Sequence, residues 1–314
     1  MPALNILVTN SLADRHIKAI KTVAPDSTII PCTLEQARDH IPTADILLTW
    51  GSMEIRPLHL AAPKLKWVHA LSAGVEELLF PEMKDTLLTN SRGIHGIPIS
   101  EHVLAMMLAF TRGLNFFIRQ QTKKEWKRTS VGEIYDKTIG IVGLGSIGRE
   151  IAKKAKGMGM HVIASKQTMT TELFVDKLYT PDNLHELLAA SDFVVVALPL
   201  LEETKGLFTL KEFAAMKPSA HFINIARGGV LRQEDLISAL QQGLIKGAGL
   251  DVFEHEPLEE TSPLWDMENV IITPHLAGIS PSYLDRAIKL FADNLSRFIH
   301  SKEMLNVIDK QKGY

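Results

Sequence analysis

Ile139-Gly140-Ile141-Val142-Gly143-Leu144-Gly145-Ser146-Ile147-Gly148 joins a short apolar run to a Gly-x-Gly-x-x-Gly turn, and a helical stretch from Ser146 to Lys156 follows. Strand, glycine turn and helix in that order open a βαβ unit whose turn meets a pyrophosphate. Gly143 permits the tight turn, Gly145 lets backbone approach the phosphates, and Gly148 lets the helix pack close to the sheet. Amides at the helix start, with the helix dipole behind them, supply the anion site. Five more buried-strand runs follow, each after a helical stretch: His161 to Ala164, Phe193 to Leu198, His221 to Ile225, Gly247 to Asp251 and Val270 to Thr273. Six strands alternating with helices predict a doubly wound parallel sheet of the Rossmann kind.

Upstream, Ile6-Leu7-Val8, Ser27 to Ile30, Ile46-Leu47-Leu48 and Trp67 to Ala70 read as strands separated by helices over Asp14–Val23 and Leu34–His40. They predict a second, smaller parallel-sheet domain with a flavodoxin-like order. One long helix from about Pro98 to Gln121 links the two series. A last helix, roughly Ser282 to His300, leads to Leu305-Asn306-Val307, a return to the first domain. The expected division is residues 1–99 and 283–314 for a substrate domain and 100–282 for a cofactor domain.

Bulk properties agree with an α/β enzyme. A chain of 314 residues with 46% hydrophobic residues supports two cores. A formal net charge of −2 argues against a nucleic-acid footprint. The single Cys32 rules out an intrachain disulfide or a thiolate metal cluster, and no metal site is expected. No signal-peptide pattern or bilayer-length apolar run is evident, so a cytoplasmic protein that binds no membrane is expected.

Three stretches near strand ends carry the chemistry: Asn224-Ile225-Ala226-Arg227-Gly228, Asp251-Val252-Phe253-Glu254-His255-Glu256-Pro257 and Thr273-Pro274-His275-Leu276-Ala277-Gly278. The Arg227 guanidinium fork can hold a carboxylate and polarise an adjacent keto oxygen. An imidazole with an ordinary pKa of about 6.5 can deliver a proton near neutral pH, which suits His275. A carboxylate on its other nitrogen would orient it, and the residue pattern leaves Glu254 and Glu256 both open for that task. Asp251 reads as facing the nicotinamide side. Together these residues predict reduction of a small 2-keto acid.

The three stretches resemble the D-2-hydroxyacid dehydrogenase family over almost the whole chain. Further matching pieces are Ser72-Ala73-Gly74-Val75-Glu76, Thr89 to Gly93, Ser100 to Val103 and Leu198-Pro199-Leu200. The family's order of Arg, Glu and His implies Arg227, Glu256 and His275 as the catalytic trio, which selects Glu256 over Glu254. It also implies that Ser72, Ala73, Gly74 and Val75 offer backbone amides to the substrate carboxylate. Implied cofactor contacts fall on Ser146, Ile147, Leu198, Pro199, Ile225, Ala226, Arg227, Asp251, His275 and Gly278. Similar proteins hold the active site between domains and form homodimers through the cofactor domain and its long helix.

Two departures shape the expectation. After His161 to Ala164 the chain reads Ser165-Lys166-Gln167, with lysine where the family's ribose-binding Asp falls. Lysine attracts and serine can bond an extra phosphate, so NADP is favoured over NAD, as in the glyoxylate/hydroxypyruvate reductase branch. With the sequence ending at Tyr314, the regulatory domain of longer phosphoglycerate dehydrogenases is not expected. Formate dehydrogenases place Gln where Glu256 stands. A non-catalytic NAD(H) sensor like the C-terminal-binding corepressors, or a dehydrogenase of a bulkier 2-hydroxy acid, are the alternatives. Trp50, Met53, Arg92, Trp265 and Tyr283 are candidates to line the pocket, with Trp50 reading rather as packed core.

Overall fold

The computed structural model describes residues 3–310. The chain separates into two compact units, residues 96–279 and residues 1–95 with 280–314.

The larger unit is a seven-stranded, all-parallel sheet. Its strands are β6 (Thr138–Val142), β7 (His161–Ser165), β8 (Lys177–Tyr179), β9 (Phe193–Val196), β10 (His221–Asn224), β11 (Gly247–Leu250) and β12 (Val270–Ile272). They lie in the order β12-β11-β10-β9-β6-β7-β8, a Rossmann sheet with one added strand. Strand β9 has side chains in both cores: Val194 and Val196 join one apolar cluster, Phe193 and Val195 the other. Burial on both faces explains why these strands read as unbroken apolar runs.

The smaller unit holds β1 (Asn5–Val8), β2 (Thr28–Pro31), β3 (Ile46–Thr49), β4 (Trp67–Ala70) and β5 (Leu87–Asn90), in the order β2-β1-β3-β4-β5. That is the flavodoxin-like order. Leu7, Leu47 and Val68 pack on one face; Ile6, Ile46, Leu48 and Trp67 pack on the other. The helix Tyr283–Ile299 buries Ala287, Ile288, Phe291 and Leu295 on one stripe, and Phe291 stacks on Trp67 at 5.0 Å. Past it, Val307 forms an antiparallel bridge with Thr89 and the Ile308 amide donates to Leu88.

The expected fold class stands, with three corrections. Each sheet has one strand more than expected. Strand β5 ends in Thr89 and Asn90, and β8 has three residues starting at an exposed Lys177, so neither shows a long apolar run. The predicted long helix is two, Gly96–Thr111 and Leu114–Thr122. Gly113 at φ 66° takes the left-handed conformation between them.

Candidate active site

In an open parallel sheet the crevice for ligands forms where strand order reverses, beyond the carboxyl ends of the strands. Here that point lies between β6 and β9. Gly143, just past β6, has φ 102°, and a Cβ there would stand 2.6 Å from the Ala197 carbonyl oxygen and 2.8 Å from the Leu198 side chain. Only glycine lets the two loops meet this closely. A Cβ on Gly148 would lie 2.4 Å from the Gly143 oxygen, whereas one on Gly145 would meet nothing within 4 Å. So Gly143 and Gly148 close the turn, and Gly145 is bare toward open space. The helix Ser146–Gly157 begins at Gly145 with no side-chain cap. Its first amides, including Ser146 and Ile147, are thus uncapped by side chains and suit a pyrophosphate. Leu198 and Pro199 continue from β9, and the Pro199 carbonyl accepts from Thr204 Oγ1 at 2.7 Å. Ser165 ends β7 and is buried, its carbonyl accepting from the Leu144 amide at 3.1 Å.

The charged residues stand beyond β10, β11 and β12, which are neighbours in register: Asn224 pairs with Leu250, and Leu250 with Ile272. Arg227 and His275 therefore each lie three residues past aligned positions, across roughly 10 Å of sheet width. The Asn224 side chain shapes the first turn, accepting from the Ala226 amide at 3.0 Å and donating to the Arg227 carbonyl at 3.1 Å. Ile225 and Ala226 are buried beneath it. Arg227 is half-buried, with Nη1 donating to the Ala226 carbonyl at 2.9 Å. A Cβ on Gly228 would sit 1.9 Å from the Phe253 carbonyl, so this glycine lets the Arg227 turn rest on the segment leading to Glu256.

His275 and Glu256 meet directly. Nδ1 of His275 lies 2.7 Å from Glu256 Oε2, while Glu256 Oε1 accepts from the Phe253 amide at 3.0 Å. Glu254 instead accepts from the Gln233 amide, which resolves the choice between the two glutamates as partner of His275 in favour of Glu256. His275 has φ 50°, a left-handed conformation uncommon outside glycine. Asp251 holds it there. The His275 amide donates to the Asp251 carbonyl at 2.8 Å, and the buried Asp251 carboxylate accepts from Thr273 Oγ1, the Leu276 amide and the Ala277 amide at 2.6, 3.0 and 2.9 Å. The Asp251 carboxylate thus clamps the turn that carries His275, with Gly278 just beyond. His102 adds a bond to Thr273 at 3.0 Å; burial lowers its pKa, with Asp251 pulling the other way.

Lys166 is not free to wait for an anion. Its Nζ lies 2.6 Å from Glu172 Oε1, and Glu172 also takes two bonds from Arg149. Neither Arg149 nor Glu172 stands out in the sequence as a partner of Lys166, because the contact spans a loop without a motif.

In the smaller unit, Ser72 to Val75 follow β4. Ser72 Oγ donates to the Gly74 carbonyl at 2.6 Å, Asn90 Nδ2 to the Ala73 carbonyl at 2.5 Å, and the Ser91 amide to the Ser72 carbonyl at 3.0 Å. Among the described residues the amides of Ala73, Gly74 and Val75 donate to nothing. Of the pocket candidates in this unit, Trp50 is not core: it is 42% exposed and stacks on Tyr283 at 5.4 Å. The Tyr283 hydroxyl bonds to His95 and to the Leu71 carbonyl, while Met53 and Arg92 are exposed. Trp265, in the larger unit, is exposed and donates to the Glu259 carbonyl. A cavity of about 690 Å³ in the larger unit lies along Arg112, Phe117, Gln120, Trp126 and Val131, and none of the residues named above as site candidates lines it. Among the described residues there is no group of metal-ligating side chains and no helix long and apolar enough to cross a membrane.

A Rossmann sheet with an uncapped phosphate turn and a carboxylate–imidazole pair at its carboxyl edge defines a nucleotide-dependent oxidoreductase. The sequence model of the D-isomer specific 2-hydroxyacid dehydrogenase NAD-binding domain matches residues 104–277. The chain belongs to that family, whose members move a hydride between a nicotinamide dinucleotide and a 2-hydroxy or 2-keto acid. It is 32% identical over 98% of its length to the glyoxylate reductase of Thermococcus gammatolerans, covering 96% of that protein. It is 30% identical, again over 98% of its length, to the D-3-phosphoglycerate dehydrogenase of Methanocaldococcus jannaschii, of which it spans only 59%. The crystal structure of the NADPH-dependent glyoxylate/hydroxypyruvate reductase of Sinorhizobium meliloti, in complex with NADP and sulfate, is similar with a TM-score of 0.85 and 30% identity, covering 99% of this chain and 100% of that one.

Proposed function

We propose that this protein reduces a small 2-keto acid of the glyoxylate or hydroxypyruvate kind to its D-2-hydroxy acid, with NADP preferred over NAD. The observation that carries the reading is the 2.7 Å contact between His275 Nδ1 and Glu256, set at a strand end three residues past the register shared with Arg227. With Nδ1 held by a carboxylate, the exchangeable proton is on Nε2 and can pass to the carbonyl oxygen of the substrate. Glu256 stabilises the imidazolium before that transfer and fixes the ring afterwards. Arg227 takes the substrate carboxylate in two bonds and polarises the keto group. The Ser72–Val75 turn, whose amides at Ala73 to Val75 meet no acceptor among the described residues, would offer further donors to that carboxylate. The Gly143–Gly148 turn, with Ile225, Ala226, Leu198, Pro199 and Gly278 around it, would hold a reduced nicotinamide dinucleotide, which would supply the hydride when bound. Lys166 and Ser165 stand at the strand end where the adenosine ribose falls in such folds, which supports the NADP preference.

Residues 1–99 with 283–314 would then serve as substrate domain and 100–282 as cofactor domain. A homodimer is supported by apolar exposure on the segment after the first long helix, where Trp126 is 93% and Ile118 60% exposed; sedimentation equilibrium reads it directly. A cytoplasmic location is proposed with the activity, in keeping with a single cysteine, Cys32, and a reducing compartment. The decisive assay is steady-state reduction of a panel of 2-keto acids with NADPH and with NADH. Turnover of glyoxylate or hydroxypyruvate with the higher kcat/KM for NADPH is expected. No turnover with any 2-keto acid would remove the activity.

A further inference from the structure

Past the glycine turn, three parts of the larger unit converge on one carboxylate. Arg149, in the second turn of the Ser146–Gly157 helix, grips Glu172 with Nε to Oε2 and Nη2 to Oε1, both at 2.8 Å. Lys166, next to the end of β7, reaches the same Oε1 at 2.6 Å. Thr170 adds its hydroxyl to that oxygen at 2.9 Å and accepts from Lys166 at 3.0 Å. The Glu172 side chain is only 9% exposed, although Met169 and Leu173 beside it are open to solvent and no helix or strand lies between Ser165 and Lys177. Bonds from Arg149 and then Lys166 hold the Glu172 carboxyl far below the usual carboxylate range. A guanidinium fork, an ammonium and a hydroxyl around one anion are the donors that a phosphate monoester requires.

We propose that Glu172 is an internal occupant of the site for the cofactor's 2′-phosphate, competing with that phosphate for Arg149 and Lys166 and so setting the preference between NADP and NAD. The inference rests on the reading above that a nicotinamide dinucleotide lies on the Gly143–Gly148 turn with its ribose toward Lys166. A phosphate carrying close to two charges and three acceptor oxygens can replace the carboxylate while both cations remain neutralised. The uncharged 2′-hydroxyl of NAD cannot, so NAD binds with Glu172 in place. The absent ribose-binding Asp is in this sense replaced by a carboxylate seven residues beyond β7, tied down by the cations that would otherwise select NADP. The same pair of cations serves either cofactor, and the glutamate decides how much of their charge a phosphate meets.

The test is equilibrium binding, followed by fluorescence titration of the purified full chain with NADPH, NADH and 2′,5′-ADP. Glu172→Gln and Glu172→Ala should each tighten NADPH and 2′,5′-ADP about ten-fold and leave NADH no tighter than before. Arg149→Ala and Lys166→Ala should each weaken NADPH about ten-fold. If the alanine variants weaken NADPH but both Glu172 variants leave it unchanged or weaker, the glutamate positions the cations and the competition is refuted. If Arg149→Ala and Lys166→Ala both leave NADPH untouched, the phosphate never meets these residues and the inference is refuted, while the NADP preference is still decided separately by kcat/KM with NADPH against NADH.

Discussion

The turns after β4 and β12 are built in opposite ways. Both follow the carboxyl end of a parallel strand and both face outward. After β4, side-chain and backbone donors, Ser72 Oγ, Asn90 Nδ2 and the Ser91 amide, occupy the carbonyls of Gly74, Ala73 and Ser72, and among the described residues the amides of Ala73 to Val75 have no acceptor. After β12, the acceptor side chain of Asp251 occupies the amides of Leu276 and Ala277 and leaves the His275 imidazole outward. The sign of the pinning group decides whether a strand-end turn presents backbone or side chain. Donors beneath leave unbonded amides, which suit the anion cradle proposed for Ser72–Val75; an acceptor beneath makes a pedestal.

The largest effect should come from the pedestal's cargo. His275→Ala is expected to lower kcat by about 10²- to 10⁴-fold, the usual worth of a positioned general acid; a rate near that of the unaltered protein would place the proton donor elsewhere. Next is Arg227→Lys, for which KM should rise at least ten-fold and kcat should fall, since a point charge does not reproduce the fork. An unchanged KM would take the carboxylate away from Arg227. Gly228→Ala forces a methyl into the Phe253 backbone, and overpacking of this kind costs about 1–3 kcal/mol. A lower midpoint of thermal unfolding together with reduced kcat would tie that contact to the alignment of Arg227 and Glu256, whereas unaltered values would show the two segments to be independent. On the cradle side, Asn90→Ala should raise KM by several-fold with a smaller change in kcat, because it loosens backbone rather than removing a reacting group. A fall in kcat as deep as that of the histidine variant would erase the distinction between the two turns.

The smallest effect concerns a second histidine. His69 on β4 is fully buried between Thr89 and Ser91, and burial lowers its pKa to about 3. The folded state thus keeps a neutral imidazole where the unfolded chain would protonate. Its contribution to stability is intact above the ordinary pKa of about 6.5 and is lost as pH falls from there toward 3, at most about 1.4 kcal/mol per pH unit. His69→Gln should flatten the acid limb of the unfolding midpoint between pH 6.5 and 5. An identical slope would assign that limb to other groups, His221 first, whose pKa burial lowers to about 4.

What the sequence made legible was what repeats a local rule. The glycine turn sits between a recognisable strand and helix, and His275 follows an apolar run closed by Thr273-Pro274, so local pattern alone places both. The rest depends on contacts between distant segments. Strand β8 exists because Ile163 to Ser165 offer it an edge, not because Lys177-Leu178-Tyr179 is apolar. Asp251 reads as a residue at a strand end, and nothing local reveals that its carboxylate pins the turn of Thr273 to Ala277. Glu172 is one acid among many until Arg149 and Lys166 stand around it. Gly113, by contrast, was readable: a glycine after Thr111-Arg112 is a helix-ending signal, and the apolar periodicity ran on past it.

The left-handed backbone at residue 275 restricts how the site can be re-engineered. Apart from glycine, asparagine and aspartate are the residues that settle there most readily, and β-branched or bulky replacements would drag the loop off its anchor. A silenced protein meant to trap a substrate complex is therefore better built with asparagine than with valine or tyrosine. Of those exchanges, only asparagine deletes the acid and keeps the scaffold that aimed it.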